Sequence, residues 1–125
     1  MFQGLHTVIY KVDDLDRTKG WYSKALWIDS YFDEPFYVGF DVGGYELGLD
    51  PDTSGGAPGA GGVLAHWGVE NIETALAHLL AAGAQPHAAV QDVGGGIRVA
   101  SVRDPFGNLF GIIENPNFRL PGHAG

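Results

Sequence analysis

Cysteine is absent from the 125 residues. That excludes disulfides, thiolate nucleophiles and cysteine-held metals, and nothing in the composition calls for an oxidising compartment. Basic side chains are scarce too, 7 against 15 acidic ones, for a formal net charge of −8. The acids are scattered rather than run together. Such a surface repels nucleic-acid phosphates and anionic lipid, so neither nucleic acid nor membrane is expected as a partner, whereas a cation or a neutral organic ligand meets no opposition. No apolar run approaches the roughly 18 residues that cross a bilayer, and the opening MFQGLHTVIYKVDD lacks the basic-then-apolar order of a signal peptide. The expected setting is the cytoplasm. The length suits one domain, 1–125, that buries roughly two thirds of its unfolded surface.

What is present is a repeated order of elements. LHTVIYKV, from Leu5 to Val12, is β-branched and aromatic, and it leads into DDLDRTKGWYSKAL, where Leu15, Thr18, Tyr22, Ala25 and Leu26 recur at helical spacing with Asp13 or Asp14 as cap. Three short strands follow, DSYFDE, FYVGFDV and YELGLD, separated by Glu34-Pro35 and Gly43-Gly44. PDTSGGAPGAGG, residues 51–62, packs nothing and reads as a linker. VLAHWGV then predicts a strand, and NIETALAHLLAAGA a helix capped by Asn71 and stopped at Gly83. Three more strands come from PHAAVQ, IRVASVRD and NLFGIIEN, with VGGG as a hairpin turn. The chain is βαβββ twice over: a first module at 5–50, the linker, a second module at 63–116 and a tail at 117–125.

HTVIYKVDDLDRTKGWYSKAL, YELGLDP, the strand and helix at 64–83 and RDPFGNLFGIIENP together resemble the vicinal oxygen chelate superfamily, which includes glyoxalase I, fosfomycin and bleomycin resistance proteins and extradiol dioxygenases. The resemblance implies an α+β fold in which two tandem βαβββ modules form a curved mixed sheet around a central cavity, and a homodimer. In metal-using members a divalent ion sits on His and Glu side chains of the first and last strand of each half. His6, Glu46, His66 and Glu114 are the matching side chains in those four strands.

Strand side chains alternate between faces, so that set can be tested by counting. The family spacing, carried onto Val12, Val69 and Asp104, puts the ligand positions at Thr7, Leu64 and Gly111, and overlaying LGLDP on IIENP pairs Glu46 with Gly111. Of Thr7, Glu46, Leu64 and Gly111 only Glu46 coordinates strongly, where a tight site needs three or four protein ligands. The expectation is therefore no metal and no other cofactor. A bulged first strand with a shifted His66 would be the arrangement that restores a nickel, zinc, manganese or iron site.

The same parity puts Ile9, Glu46, His66 and Ile113 on the cavity face, and the resemblance implies that face for Phe36, Val38, Phe40, Ser101 and Arg103 as well. Glu46 and His66 are the candidate acid–base pair; Thr7, Ile9, Phe36, Phe40, Ser101 and Arg103 are the candidate ligand contacts. Structural roles compete with these. His66 is equally readable as a hydrogen-bonded interior histidine, Glu46 as the partner of Lys11 or Arg103, Glu114 as a strand-end acceptor, and His6 as a residue at a strand start. His78, His87 and His123 receive no role, and Trp21, Trp27 and Trp67 read as core or subunit contacts. Three functions follow: a protein that binds a small, partly apolar organic molecule without a metal; a glyoxalase-like lyase or isomerase, or dioxygenase-like enzyme, using a metal or the Glu46 and His66 pair; or a structural or regulatory partner protein whose pocket is vestigial.

Overall fold

The computed structural model describes residues 1–59 and 61–117. It is an α+β fold with β1 (Phe2–Lys11), α1 (Leu15–Leu26), β2 (Phe32–Glu34), β3 (Tyr37–Val42), β4 (Tyr45–Asp50), β5 (Val63–Val69), α2 (Ile72–Ala81), β6 (Gln85–Gly94), β7 (Ile97–Arg103) and β8 (Leu109–Glu114). The order is the one the repeat predicts. Both helices start on the expected type of cap: Asp14 accepts from the Arg17 amide at 3.1 Å and Asn71 from the Thr74 amide at 2.9 Å, each satisfying a first-turn donor that has no intrahelical partner. Gly83, at φ 107°, takes the left-handed turn beyond α2.

The chain divides into two compact units, Thr7–Leu64 and Met1–His6 with the residues from Ala65 onward. In the first, the strands run β2-β3-β4-β1, with β1 parallel to β4 and the other pairs antiparallel. Val12, Val38, Phe40 and Leu49 are buried on one face, packed with Tyr10, Leu47 and with Leu15, Tyr22 and Leu26 of α1. Each fully buried side chain of this kind contributes about 1.5–3 kcal/mol relative to exposure. Residues directly opposite in register share a face, so the other face carries Thr7 and Ile9 of β1, Glu46 and Gly48 of β4, and Tyr37 and Gly39 of β3.

In the second unit the order is β5-β8-β7-β6, with β5 parallel to β8. Val69, Ile72, Ala75, Ala100 and Ile112 form the core under α2. Trp67 belongs to it, stacked on Phe110 at 5.5 Å and edge-on to Phe2 at 6.5 Å. Trp21 and Trp27 do not match a core reading, being 63% and 91% exposed. β6 runs past the predicted PHAAVQ as far as Gly94, and Gly94, Gly95 and Gly96, all at positive φ, make the hairpin turn. The tail from 118 onward, His123 included, lies outside the described residues.

Candidate functional site

Glu46 is the centre of the first unit's sheet face opposite α1. The Tyr31 hydroxyl donates to its Oε1 and the Tyr37 hydroxyl to its Oε2. Room for these rings comes from two glycines that face each other across the β3–β4 ladder, Gly39 and Gly48. A Cβ at Gly48 would overlap the Tyr37 ring and hydroxyl, and one at Gly39 would sit 3.2 Å from Tyr31 Cε1 and 3.5 Å from Glu46 Cδ. Thr7 and Ile9 stand opposite Glu46 and Gly48 on β1. Burial pushes the Glu46 carboxyl up from 4.5 to about 7, leaving both protonation states populated near neutrality. Burial, with the charge of Asp50, pushes the Tyr37 phenol well above its ordinary value, so it remains a donor.

Lys11 is not the partner of Glu46. Its ammonium pairs with Asp50 at 2.9 Å, at the other end of the same parallel ladder. The two tyrosines, which the sequence reading missed, hold the carboxyl instead. Tyr37 was legible, because it alternates with Gly39 on one side of β3, and a large ring two residues from a glycine marks a face where something lies flat.

Phe40 and Val38 require a correction. They are buried beneath α1, on the face opposite Glu46, because their register partners are Leu47 and Leu49. The cavity-face reading of β3 was therefore out by one residue, and Tyr37 and Gly39 take the places given to Val38 and Phe40. Phe36 is 66% exposed beside Phe32 at 6.0 Å. Asp13, Asp14, Asp16, Asp33 and Glu34 line an acidic cleft of about 500 Å³ at the start of α1, which Glu46 does not line.

In the second unit His66, Gly111 and Ser101 form a row across β5, β8 and β7. All three share a face, with His66 and Ser101 buried. A Cβ at Gly111 would come within 2.8 Å of the His66 ring, so this glycine also serves as a floor for a ring. Ser101 Oγ lies 3.0 Å from His87 Nδ1, a contact that the sequence reading did not assign. Arg103 is exposed and donates to the Gly107 carbonyl at 3.0 Å, inside its own turn. Glu114 caps α2 from a distance, accepting from the Ile72 amide at 3.0 Å and pairing with Arg98 at 2.9 Å, which is the strand-end acceptor role. His6 lies inside β1, not at its start, because the strand begins at Phe2. It is 4% exposed, and burial, followed by the charge of a protonated His66, lowers it from 6.5 to about 4.

The register also revises the count on β5. Thr7 faces Glu46 in one unit, and His66, not Leu64, faces Gly111 in the other. The reason is local: seven residues separate Thr7 from the cap Asp14, but five separate His66 from the cap Asn71. The facing pairs are thus Thr7 with Glu46 in one unit and His66 with Gly111 in the other. Gly111 has no donor, Thr7 offers a hydroxyl, and both Glu46 oxygens already accept phenol hydrogens. Neither pair supplies the three or four donors that hold a divalent ion tightly, and among the described residues no three His, Asp or Glu side chains gather as ligands.

The family model for the glyoxalase/bleomycin resistance protein/dioxygenase superfamily matches residues 4–112. The chain belongs to this superfamily. Among solved structures, it is similar to a methylmalonyl-CoA epimerase from Streptomyces coelicolor in complex with 2-nitronate-propionyl-CoA, at 16% identity over 93% of this chain and 99% of that one, TM-score 0.77. It is also similar to a superfamily member from Vibrio splendidus 12B01 at 17% identity over 89% and 99%, TM-score 0.64. A third, described as an NAD-dependent benzaldehyde dehydrogenase from Legionella pneumophila, shares 13% identity over 87% and 97%, TM-score 0.69. No curated protein matches the sequence. At these identities the likeness establishes the fold, and a superfamily fold hosts many reactions, so function has to come from the side chains.

Proposed function

We propose that this superfamily member binds a small, partly apolar organic molecule on the Glu46 face of the Thr7–Leu64 unit, with Glu46 as the polar anchor and no metal required. The observation that carries the reading is the carboxyl itself: partly buried, on a floor of two glycines, and held by phenol hydroxyls instead of a structural cation. A buried carboxylate is costly, and Lys11 pairs with Asp50 instead of neutralising it. Thr7 and Ile9 extend the face with one hydroxyl and one apolar surface, the mixture small-molecule sites use.

One specific observation favours a second reading, an acid–base lyase or isomerase. With its carboxyl raised to about 7, Glu46 is matched to moving a proton near neutral pH. Superfamily neighbours that carry enzyme names, the epimerase among them, are compatible with it.

Glu46→Gln separates the two, with ligands found by fragment screening against the intact protein. A binding protein retains its affinity within about threefold, whereas a proton-transfer enzyme loses roughly 100-fold or more in rate. If fragments bind the protein but none is displaced or weakened by any substitution at Glu46, the anchor role is wrong. A homodimer belongs to the same proposal, supported by exposed Trp21 and Trp27 and tested by sedimentation.

A further inference from the structure

The two phenols on Glu46 are unequal. Tyr37 lies over Gly48, its hydroxyl is half-buried with the carboxyl, and the sheet holds its backbone in register opposite Glu34. Tyr31 precedes β2, is 62% exposed, and donates its amide to the Gly39 carbonyl at 3.0 Å. Its ring rests against Gly39 and its hydroxyl occupies Oε1. Tyr37 thus belongs to the floor, whereas Tyr31 is a ring that solvent can reach and a rotamer change can remove.

Building on the Glu46 reading above, we propose that Tyr31 occupies the ligand's own place, so that the ligand class is a small hydroxyarene whose ring replaces Tyr31 over Gly39 and whose O–H donates to Glu46 Oε1. The side chain of Tyr31 is itself a para-alkyl phenol seated in that position, so the shape, flatness and donor that fit are displayed by the chain. Gly39 supplies the flat floor. Oε1 supplies an acceptor, and Oε2 stays engaged by Tyr37, which keeps the carboxyl oriented while the other oxygen changes partners. A tethered phenol competes at a high effective concentration, so a free one binds the wild type weakly and binds more tightly once the tether is cut.

The test uses p-cresol as the probe and toluene, which lacks the hydroxyl, as its control. Binding is followed by calorimetry and by the chemical shift of the Glu46 carboxyl carbon. Tyr31→Ala is expected to bind p-cresol at one site per chain, roughly tenfold or more tighter than wild type, and roughly tenfold or more tighter than toluene, since a hydrogen bond to a carboxylate is lost with the control. Tyr31→Phe, which retains the covering ring, should show no such gain. In the wild type, which requires no altered residue to fold, saturating p-cresol should shift the Glu46 carbon and the Tyr31 ring signals together. Equal binding of p-cresol and toluene at Glu46 overturns the hydroxyarene inference and leaves Glu46 as a general anchor. A Glu46 signal unmoved by either probe, in wild type and in folded Tyr31→Ala, overturns the displacement of Tyr31, and failure of every screened fragment at Glu46 overturns the parent reading as well.

Discussion

Glu46 is subject to opposing influences that its neighbours make separable. Burial favours the neutral carboxyl and carries it to about 7, while each phenol O–H that donates to an oxygen favours the ionised form. Tyr37→Phe removes one donor and keeps the ring, so the Glu46 titration should move up by roughly one unit, followed by the carboxyl carbon shift; a titration that stays in place would show that the Tyr37 bond does not act on the carboxyl. Parity along β4 was enough to read Glu46 as facing away from the helix. On β3 the face was taken from the resemblance, which gave the apolar run at 36, 38 and 40 to the ligand. Large apolar residues under a helix obey the same alternation, and only the pairing of Phe40 with Leu47 distinguishes the two faces.

At the scale of elements, glycine has two uses here that substitution should distinguish. Gly48 in β4 is a floor, and Gly48→Ala forces the Tyr37 ring aside, with an expected loss of about 1–3 kcal/mol in denaturant unfolding and a weakened hold on Oε2. Gly20, inside α1, has open space among the described residues where a methyl group would stand, so Gly20→Ala should stabilise by about 0.5–1 kcal/mol through helix propensity alone. Equal effects of the two substitutions would contradict the floor assignment. Element order, both caps and the repeat were legible because they rest on local chemistry: a side-chain acceptor at Asp14 and Asn71, a glycine at 83, turn residues between β-branched runs. The register of β5 was not, since Thr7 stands opposite Glu46 seven residues before its cap whereas His66 stands opposite Gly111 five before its own, and spacing counted back from a helix carries no information on how the strand pairs.

For the whole molecule, two buried groups tilt stability in opposite directions with pH. The fold holds a proton on Glu46 up to about 7 that the unfolded chain releases near 4.5, so this contribution is full below 4.5 and is lost, by roughly 3 kcal/mol, as pH rises to 7. His6 takes a proton near 6.5 when unfolded and near 4 when folded, so its contribution is full above 6.5 and is lost by a similar amount, roughly 3 kcal/mol, as pH falls to 4. Between about 4.5 and 6.5 the slopes offset one another. Glu46→Gln removes one of them, and its unfolding free energy should climb by roughly 3 kcal/mol from pH 4 to 6.5 while the wild type stays nearly flat. A variant profile as flat as the wild type would mean that His6 titrates alike in both states. Superfamily membership, carried by nearly the whole chain, supplies the scaffold for these groups and leaves the choice of chemistry to them. The most direct measurement is therefore the titration of the Glu46 carboxyl carbon in the wild-type protein by ¹³C nuclear magnetic resonance. A midpoint near 7 is the predicted result. A midpoint at the ordinary 4.5 would mean that the carboxyl is solvated and ionised like any surface glutamate, and would contradict its role as a buried anchor poised between charge states.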